Sequence, residues 1–289
     1  MSAAAITMPS WRVRRRRRIA GAVMSVLLTA ATAIAVGLLL VILGYVLVNG
    51  LPALNVAFFT ERPKPFGVEG GGVAPAIVGT LLVSAIAGVI AIPIGIAAAI
   101  FVTELRPGRW ATIVRFAAEL IAGLPSIAVG VFVWSFLVRG LLGRYSALAG
   151  GVALAVIMIP IVARTAEEVL RLVPGSLREA ALALGAPRWR VVVRVVLPTA
   201  RAGIATAAVL ALARAAGETA PLLLTALGNL FFSTDLFRPI AALPLQIYQY
   251  AASPYDDWHA KAWGASLVLV AVIALVSLAL RALAPRSAR

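Results

Sequence analysis

Two charged residues, Arg214 and Glu218, lie in an apolar stretch that is long enough to cross a lipid bilayer. Their spacing of four residues places both side chains on one face of a helix. Arg214 is about 18 Å from the start of this stretch at Ala202, which puts it near the middle of a hydrocarbon core about 30 Å thick. Charged groups at that depth cost about 2.5–3.5 kcal/mol each on the insertion scale, so they usually serve a function.

An arginine at this depth favours binding of an oxyanion, because the planar guanidinium can donate to two oxygens of a phosphate-type group. The alternative is a self-satisfied ion pair between Arg214 and Glu218, buried against another helix. Both can hold if Glu218 pairs with Arg214 at rest and releases it to an anion. The residues alone leave this choice open.

A helix break is predicted directly after Arg214. Pro221 has no backbone N–H, so the carbonyl of Gly217 loses its helical partner. Broken backbone at membrane depth is tolerated where it lines a cavity or is buried in protein. We therefore assign Thr219, which lies in the break, to the same predicted pathway. Glu119, a further carboxylate near the cytoplasmic end of another apolar stretch, is included with it.

The composition excludes several kinds of chemistry. The chain has no cysteine and a single histidine, His259, so it offers no thiolate nucleophile and no cluster of zinc ligands. A phosphate-binding loop of the Walker A type needs Gly-Lys-Ser/Thr, whereas Lys64 follows proline and Lys261 follows alanine. We expect no catalytic residue, no metal and no cofactor in this chain. Any ATP and magnesium must be bound by a partner.

The low content and the placement of charged residues indicate a membrane protein. Hydrophobic residues make up 62% of the 289 residues and charged residues 13%, about half the share in soluble domains. The net charge of +15 and the run Arg14–Arg18 would indicate nucleic-acid binding in a soluble protein. Here the run precedes thirty uncharged residues, Ile19–Val48, which are too long for a signal peptide. A membrane anchor is the better interpretation, and no nucleic-acid partner is expected.

Length and hydropathy predict an all-α integral membrane protein with six spans. Nineteen of the 26 Lys and Arg residues fall on the side that holds both termini, six fall on the other side, and Arg214 lies within a span. This bias predicts that both termini are cytoplasmic. The predicted spans are Ile19–Val48, Ala76–Val102, Arg115–Val138, Leu148–Ala163, Ala202–Leu227 and Trp263–Leu280. The predicted organisation is a basic tail (1–18), a first transmembrane helix (19–48), an outer segment (49–75), a core (76–283) with a cytoplasmic loop (164–201), and a tail (284–289).

The cytoplasmic loop contains signals for two short helices. Ser176 and Glu179 have the spacing of a capping box, and Gly185 stands where a left-handed residue ends a helix. A helix is therefore predicted over Leu177–Leu184. A second is predicted from Trp189 to Val196, ending before Pro198.

This loop resembles the EAA loop of ABC-importer permeases. Glu179, Ala180 and Ala181 are followed at fixed distances by Gly185 and then by Leu197-Pro198, with Val195 where the family has isoleucine. The resemblance covers about residues 76–283. It implies the type I importer (MetI-like) permease fold and a coupling helix that docks on a separate ATPase subunit.

Four further segments resemble phosphate-specific importer permeases. They are Gly71–Thr80, Ala122–Ile127, Arg214–Leu222 and Ser253–Trp258, and the last favours the PstA type over the PstC type. The resemblance implies a phosphate importer in the bacterial inner membrane. Its partners would be a PstC-type permease, an ATPase dimer, an extracytoplasmic phosphate-binding protein and membrane lipid. Asp235, Asp256 and Asp257 fall in predicted outer segments, where solvated loop charges are the simpler interpretation and contact with the binding protein the other.

Other functions explain less of the sequence. A permease for molybdate, sulfate or phosphonate fits the same loop and remains the main alternative. A secondary transporter would need coupling-ion residues and often an inverted repeat, neither of which is evident. A membrane-anchored scaffold would leave the two charges at midplane depth unexplained.

Overall fold

The computed structural model describes residues 11–65, 67–68, 70–105 and 108–283. In these ranges the regular structure is helical, with one isolated bridge between Leu227 and Ile240. The predicted tail 284–289 and residues 1–10 of the predicted basic tail lie outside the described residues. The α helices are α1 (Trp11–Gly50), α2 (Val56–Thr60), α3 (Ala74–Ile100), α4 (Arg109–Gly123), α5 (Ser126–Val133), α6 (Ala147–Arg171), α7 (Gly175–Ala183), α8 (Arg188–Val191), α9 (Leu197–Ala215), α10 (Ala220–Thr225), α11 (Leu243–Ala251) and α12 (Asp256–Leu283).

The chain divides into two compact units, residues 1–48 and 49–289. In the first unit the described structure is the single helix α1. This helix begins at Trp11, so the run Arg14–Arg18 is continuous with the apolar helix that follows it. The second unit contains α2 to α12.

Among the described residues, five helices are long and apolar enough to cross a membrane, and a sixth span results if α4 and α5 are counted as one. The third predicted span, Arg115–Val138, is not one continuous helix. The axis turns by 100° between α4 and the helical segment 126–142. Leu124 has an extended backbone (ψ 138°) because the ring of Pro125 disfavours a helical conformation for the residue before it. The fourth span is longer than predicted, since α6 continues to Arg171.

Helices α3 and α6 form the centre of the second unit, and small residues bring their backbones close together. A Cβ atom added to Gly95 of α3 would lie 2.7 Å from Val162 of α6. Ala87, Ala91 and Ala155 are fully buried in the same core. Close packing of small residues is the usual way in which membrane helices associate, because the lipid gives no hydrophobic drive for it. The pair therefore behaves as one rigid support for the elements attached to it.

The predicted outer segment before α3 is held by hydrogen bonds of its own. The Asn55 side chain accepts from the Phe58 amide at 2.8 Å and begins α2. Glu61 pairs with Lys64 and accepts from the Gly71 amide at 3.0 Å, and these contacts lower the pKa of its carboxyl group. Gly71 has a φ of +84°, a conformation that glycine adopts at no steric cost. This segment is thus folded against the amino-terminal end of α3.

Candidate substrate pathway and coupling loop

A cavity of about 700 Å³ lies beside the end of α9. Its wall is formed by the break between α4 and α5, by Ile157 and Ile161 of α6, and by Arg214 and Glu218. Most of the wall is apolar, and the two charged side chains give it a small polar region. This arrangement is typical of a binding site for a small ligand with a charged group.

The predicted helix break positions these two charges. Helix α9 ends at Ala215, residues 216–217 form a turn, residues 218–219 are irregular, and α10 begins at Ala220 with Pro221 in its first turn. Arg214 lies in the last turn of α9, where the negative end of the helix dipole favours a cation. The prediction of a break at Gly217–Pro221 is therefore confirmed.

Arg214 and Glu218 face each other but do not form a hydrogen bond. Arg214 Nη2 lies 3.9 Å from Glu218 Oε1, which is within ion-pair distance and beyond hydrogen-bond distance. The Arg214 side chain is 64% exposed, whereas that of Glu218 is 19% exposed. Within the described part of the chain, the Arg214 guanidinium has no closer partner. Its N–H donors remain open toward the cavity.

A second break, between α4 and α5, also lines the cavity, and it falls within Ala122–Ile127, one of the segments that resemble phosphate importer permeases. Helix α5 begins at Ser126, immediately after Pro125, and both residues line the cavity. Gly130 of α5 packs against α10 so closely that an added Cβ would lie 2.8 Å from the Pro221 Cα. The half-helices that follow the two breaks thus support each other. The sequence feature that could have indicated this break is the Leu124-Pro125 pair, since a residue before proline disfavours the helical conformation.

The other two predicted pathway residues are not in the wall. Among the described residues that line the cavity, neither Glu119 nor Thr219 is found. Glu119 is turned away with α4 and forms an ion pair with Arg164 of α6. Thr219 is half-buried, and its carbonyl accepts from the Leu223 amide at 3.1 Å in the first turn of α10.

Next to the Glu119 pair, Glu167 of α6 binds two arginines. It accepts from Arg115 at 2.7 Å and from Arg171 at 2.6 Å, and its side chain is 13% exposed. These contacts connect α4 to α6 at the predicted cytoplasmic end. The structure therefore places Glu119 in a structural ion-pair group rather than beside Arg214.

The first helix of the predicted coupling loop, residues 164–201, has the predicted end and a different beginning. Gly185 has a φ of +81°, its amide donates to Leu182, and the Ala186 amide donates to Ala181 at 3.2 Å. These bonds form a Schellman motif, as Gly185 predicted. The predicted capping box is wrong, because α7 begins at Gly175 and Ser176 lies within the helix, where its hydroxyl makes no capping bond.

The surface of this loop is rich in exposed apolar side chains. Glu179 and Ala180 are exposed and Ala181 is half-buried. Leu184 and Trp189 beside them are 89% and 60% exposed. An exposed apolar patch of this kind marks a contact site for another protein or for lipid.

The second predicted helix does not end before Pro198. Helix α8 continues through a π-helical turn, Val192–Val196, directly into α9. The Leu197 amide donates to Val192, five residues back, and the Thr199 hydroxyl donates to the Val195 carbonyl at 2.6 Å. Pro198 thereby falls in the first turn of α9, where its missing N–H disturbs no bond of that helix. One helical run, 188–215, thus connects the coupling loop to Arg214.

The family profile and the matching relatives point to the same protein family. The profile of the family described as "Binding-protein-dependent transport system inner membrane component" matches residues 91–289. The phosphate transport system permease protein PstA of Xylella fastidiosa is 45% identical over 240 residues, 83% of each chain. That of Yersinia pestis is 44% identical, over 81% of this chain and 79% of the relative. The Mycobacterium tuberculosis protein PstA 1 is 40% identical, over 72% and 68%.

Solved structures agree on the fold. An inward-facing MetNI methionine ABC transporter chain superposes with a TM-score of 0.60 at 24% identity, covering 73% of this chain and 94% of that one. A chain of a bacterial ABC transporter that imports the acidic polysaccharide alginate gives 0.65 at 17% identity, covering 96% and 100%. At these identities the likeness concerns the fold alone, which is that of ABC-importer permeases.

Proposed function

The chain belongs to the family of binding-protein-dependent transport system inner membrane components, and from that premise we propose that it moves phosphate through the cavity beside Arg214. It is the PstA-type membrane subunit of an ATP-driven phosphate importer and is not itself an enzyme, since the ATPase is a separate subunit. The open guanidinium of Arg214 in the cavity wall is the observation that supports the pathway.

Arg214 has the chemistry that phosphate requires. Its guanidinium can donate to two phosphate oxygens at once, and the cavity walls lower the local dielectric, which strengthens this attraction. Glu218 compensates the charge of Arg214 when the pathway is empty. Its distance of 3.9 Å lets an arriving anion take the guanidinium without first breaking a hydrogen bond. Glu218 also repels the anion, so phosphate is held weakly enough to leave.

The partners follow from the importer class. As a subunit of an ABC importer, the chain works with an ATPase and a binding protein. We propose a PstC-type permease as the second membrane subunit, two ATPase copies that carry ATP and magnesium, and a phosphate-binding protein on the outer side. The exposed surface of α7, with Glu179, Ala180 and Ala181, supports docking of the ATPase there.

The substrate is tested with the whole importer in proteoliposomes. With the phosphate-binding protein present, phosphate is expected to stimulate ATP hydrolysis and to accumulate inside. Sulfate and molybdate at the same concentration are expected to do neither. The binding protein supplied alone with each anion controls for selectivity that arises before the membrane. Transport of sulfate or molybdate at the rate of phosphate would contradict the proposal.

The chain is an integral multi-pass membrane protein, and we propose that both termini are cytoplasmic in the bacterial inner membrane. The bias of basic residues supports this orientation. Reporter domains fused after Asn49 and within residues 228–262 are expected to signal from the outer side. A fusion in the α7–α8 connection serves as the cytoplasmic reference. A cytoplasmic signal from either of the first two fusions would overturn the orientation.

A further inference from the structure

A charged contact joins the coupling helix α7 to the end of α3. Arg178 of α7 donates from Nη2 to Glu104 Oε1 at 2.7 Å and from Nε to both carboxylate oxygens at 3.2 Å. The two side chains are only 23% and 10% exposed. Glu104 lies in the π-helical turn Phe101–Leu105 that extends α3. The contact spans 74 residues of sequence and is well shielded from water.

The same guanidinium also binds the end of α6. Arg178 Nη1 donates to the Val173 carbonyl at 2.6 Å, and Nη2 donates to the Leu170 carbonyl at 2.9 Å. Carbonyls at a helix carboxyl end have no partner within the helix, so a cation there completes them. One side chain therefore connects α7 to both members of the α3–α6 pair.

Helix α7 contacts the rest of the chain through this connection and through Ala181, which packs against a buried cluster that includes Leu170 and Val173. None of its residues, Gly175–Ala183, is buried, so its apolar contacts with the rest of the chain are partial. The α3–α6 pair, in contrast, is closely packed at Gly95 and Val162. Ile157 and Ile161 of the same α6 line the cavity beside Arg214. A displacement of α7 thus reaches the cavity wall through Arg178.

We infer that Arg178 and Glu104 are positioning residues that transmit movement of the ATPase from α7 to the α3–α6 pair. The inference rests on the proposed docking of the ATPase on α7. It concerns how tightly ATP hydrolysis is coupled to phosphate movement, and neither residue touches the substrate. It also predicts that a positive charge at position 178 does not suffice for coupling. Glu104 needs a cation as its partner, and the carbonyls of Leu170 and Val173 need hydrogen-bond donors as well.

The test uses the purified importer in proteoliposomes and measures phosphate moved per ATP hydrolysed. Glu104→Gln and Arg178→Lys are expected to retain the ATPase subunit and to hydrolyse ATP. Their phosphate-to-ATP ratio is expected to fall at least about fivefold, the lower end of typical couplings between sites. The exchanged pair Glu104→Arg with Arg178→Glu is expected not to recover, since a carboxylate cannot donate to the two carbonyls. Glu168→Gln, an exposed carboxylate on α6, is the matched control.

The outcomes separate the possibilities. If both conservative variants keep the normal ratio, or if the only effect is a lower yield of assembled importer, the residues are structural and the inference is wrong. Full recovery by the exchanged pair would exclude a role for the carbonyl contacts. A wild-type importer that hydrolyses ATP without moving phosphate would contradict the proposed function itself.

Discussion

Replacing Arg214 by alanine is expected to abolish phosphate uptake, and replacing it by lysine is expected to restore little of it. The guanidinium is the only cation in the cavity wall among the described residues, so no neighbour can substitute for it. Lysine keeps the charge but offers a compact ammonium in place of a planar fork that spans two oxygens. Loss of one charge-assisted hydrogen bond costs about 1.5–3 kcal/mol, or roughly 10- to 150-fold in rate. Uptake of labelled phosphate per assembled importer gives the measurement.

The design must separate loss of substrate binding from loss of folding. Without Arg214, the half-buried carboxylate of Glu218 has no counter-charge, so the single alanine variant could fail to assemble. The double variant Arg214→Ala with Glu218→Ala removes that penalty. Arg201→Ala, an exposed arginine near the other end of α9, is the matched control and is expected to transport normally. If the double variant regains uptake, Arg214 is only the structural partner of Glu218.

The breaks in the helices show how far the sequence predicts this site. The break before Pro221 was predictable because glycine, threonine and proline cluster there next to charged residues. The bend at Pro125 was not, since Pro93 and Pro160 lie inside the continuous helices α3 and α6. In those helices the neighbouring backbone absorbs the missing hydrogen bond. Packing therefore decides whether a proline bends a membrane helix, and here α5 packs against α10.

Charged contacts between distant segments were equally hidden. Glu119 is one of the predicted pathway residues, but the bend turns α4 away and Arg164 pairs with its carboxylate. Arg178 lies directly before the recognisable Glu179, yet its partner Glu104 belongs to another span. The turn at Gly185 could be predicted because it depends on the positive φ of that one residue, which glycine favours. Ion pairs depend on which helices meet, and a single sequence does not give that.

Substitution of Gly185 is expected to uncouple ATP hydrolysis from phosphate transport, in an order set by backbone strain. The residue has a φ of +81°, and no atom lies within 4 Å of the position that a Cβ would take. The effect is therefore conformational and does not arise from crowding. A left-handed conformation costs an ordinary residue about 1–2 kcal/mol, while asparagine tolerates it better. Gly185→Val is thus expected to open the Schellman turn and displace α7, whereas Gly185→Asn retains most coupling.

The matched control for this prediction is Gly175→Val. Gly175 is the first residue of α7, the helix that Gly185 terminates; it also has no atom within 4 Å of its Cβ position and does not have a positive φ. It is expected to transport nearly as well as the unchanged protein. The measurements are the amount of ATPase that co-purifies and the phosphate moved per ATP hydrolysed. If Gly185→Val and Gly175→Val reduce the ratio equally, bulk on the docking surface is responsible. If neither reduces it, α7 is not the element through which the ATPase acts, because a strained turn at Gly185 moves the whole exposed face of that helix.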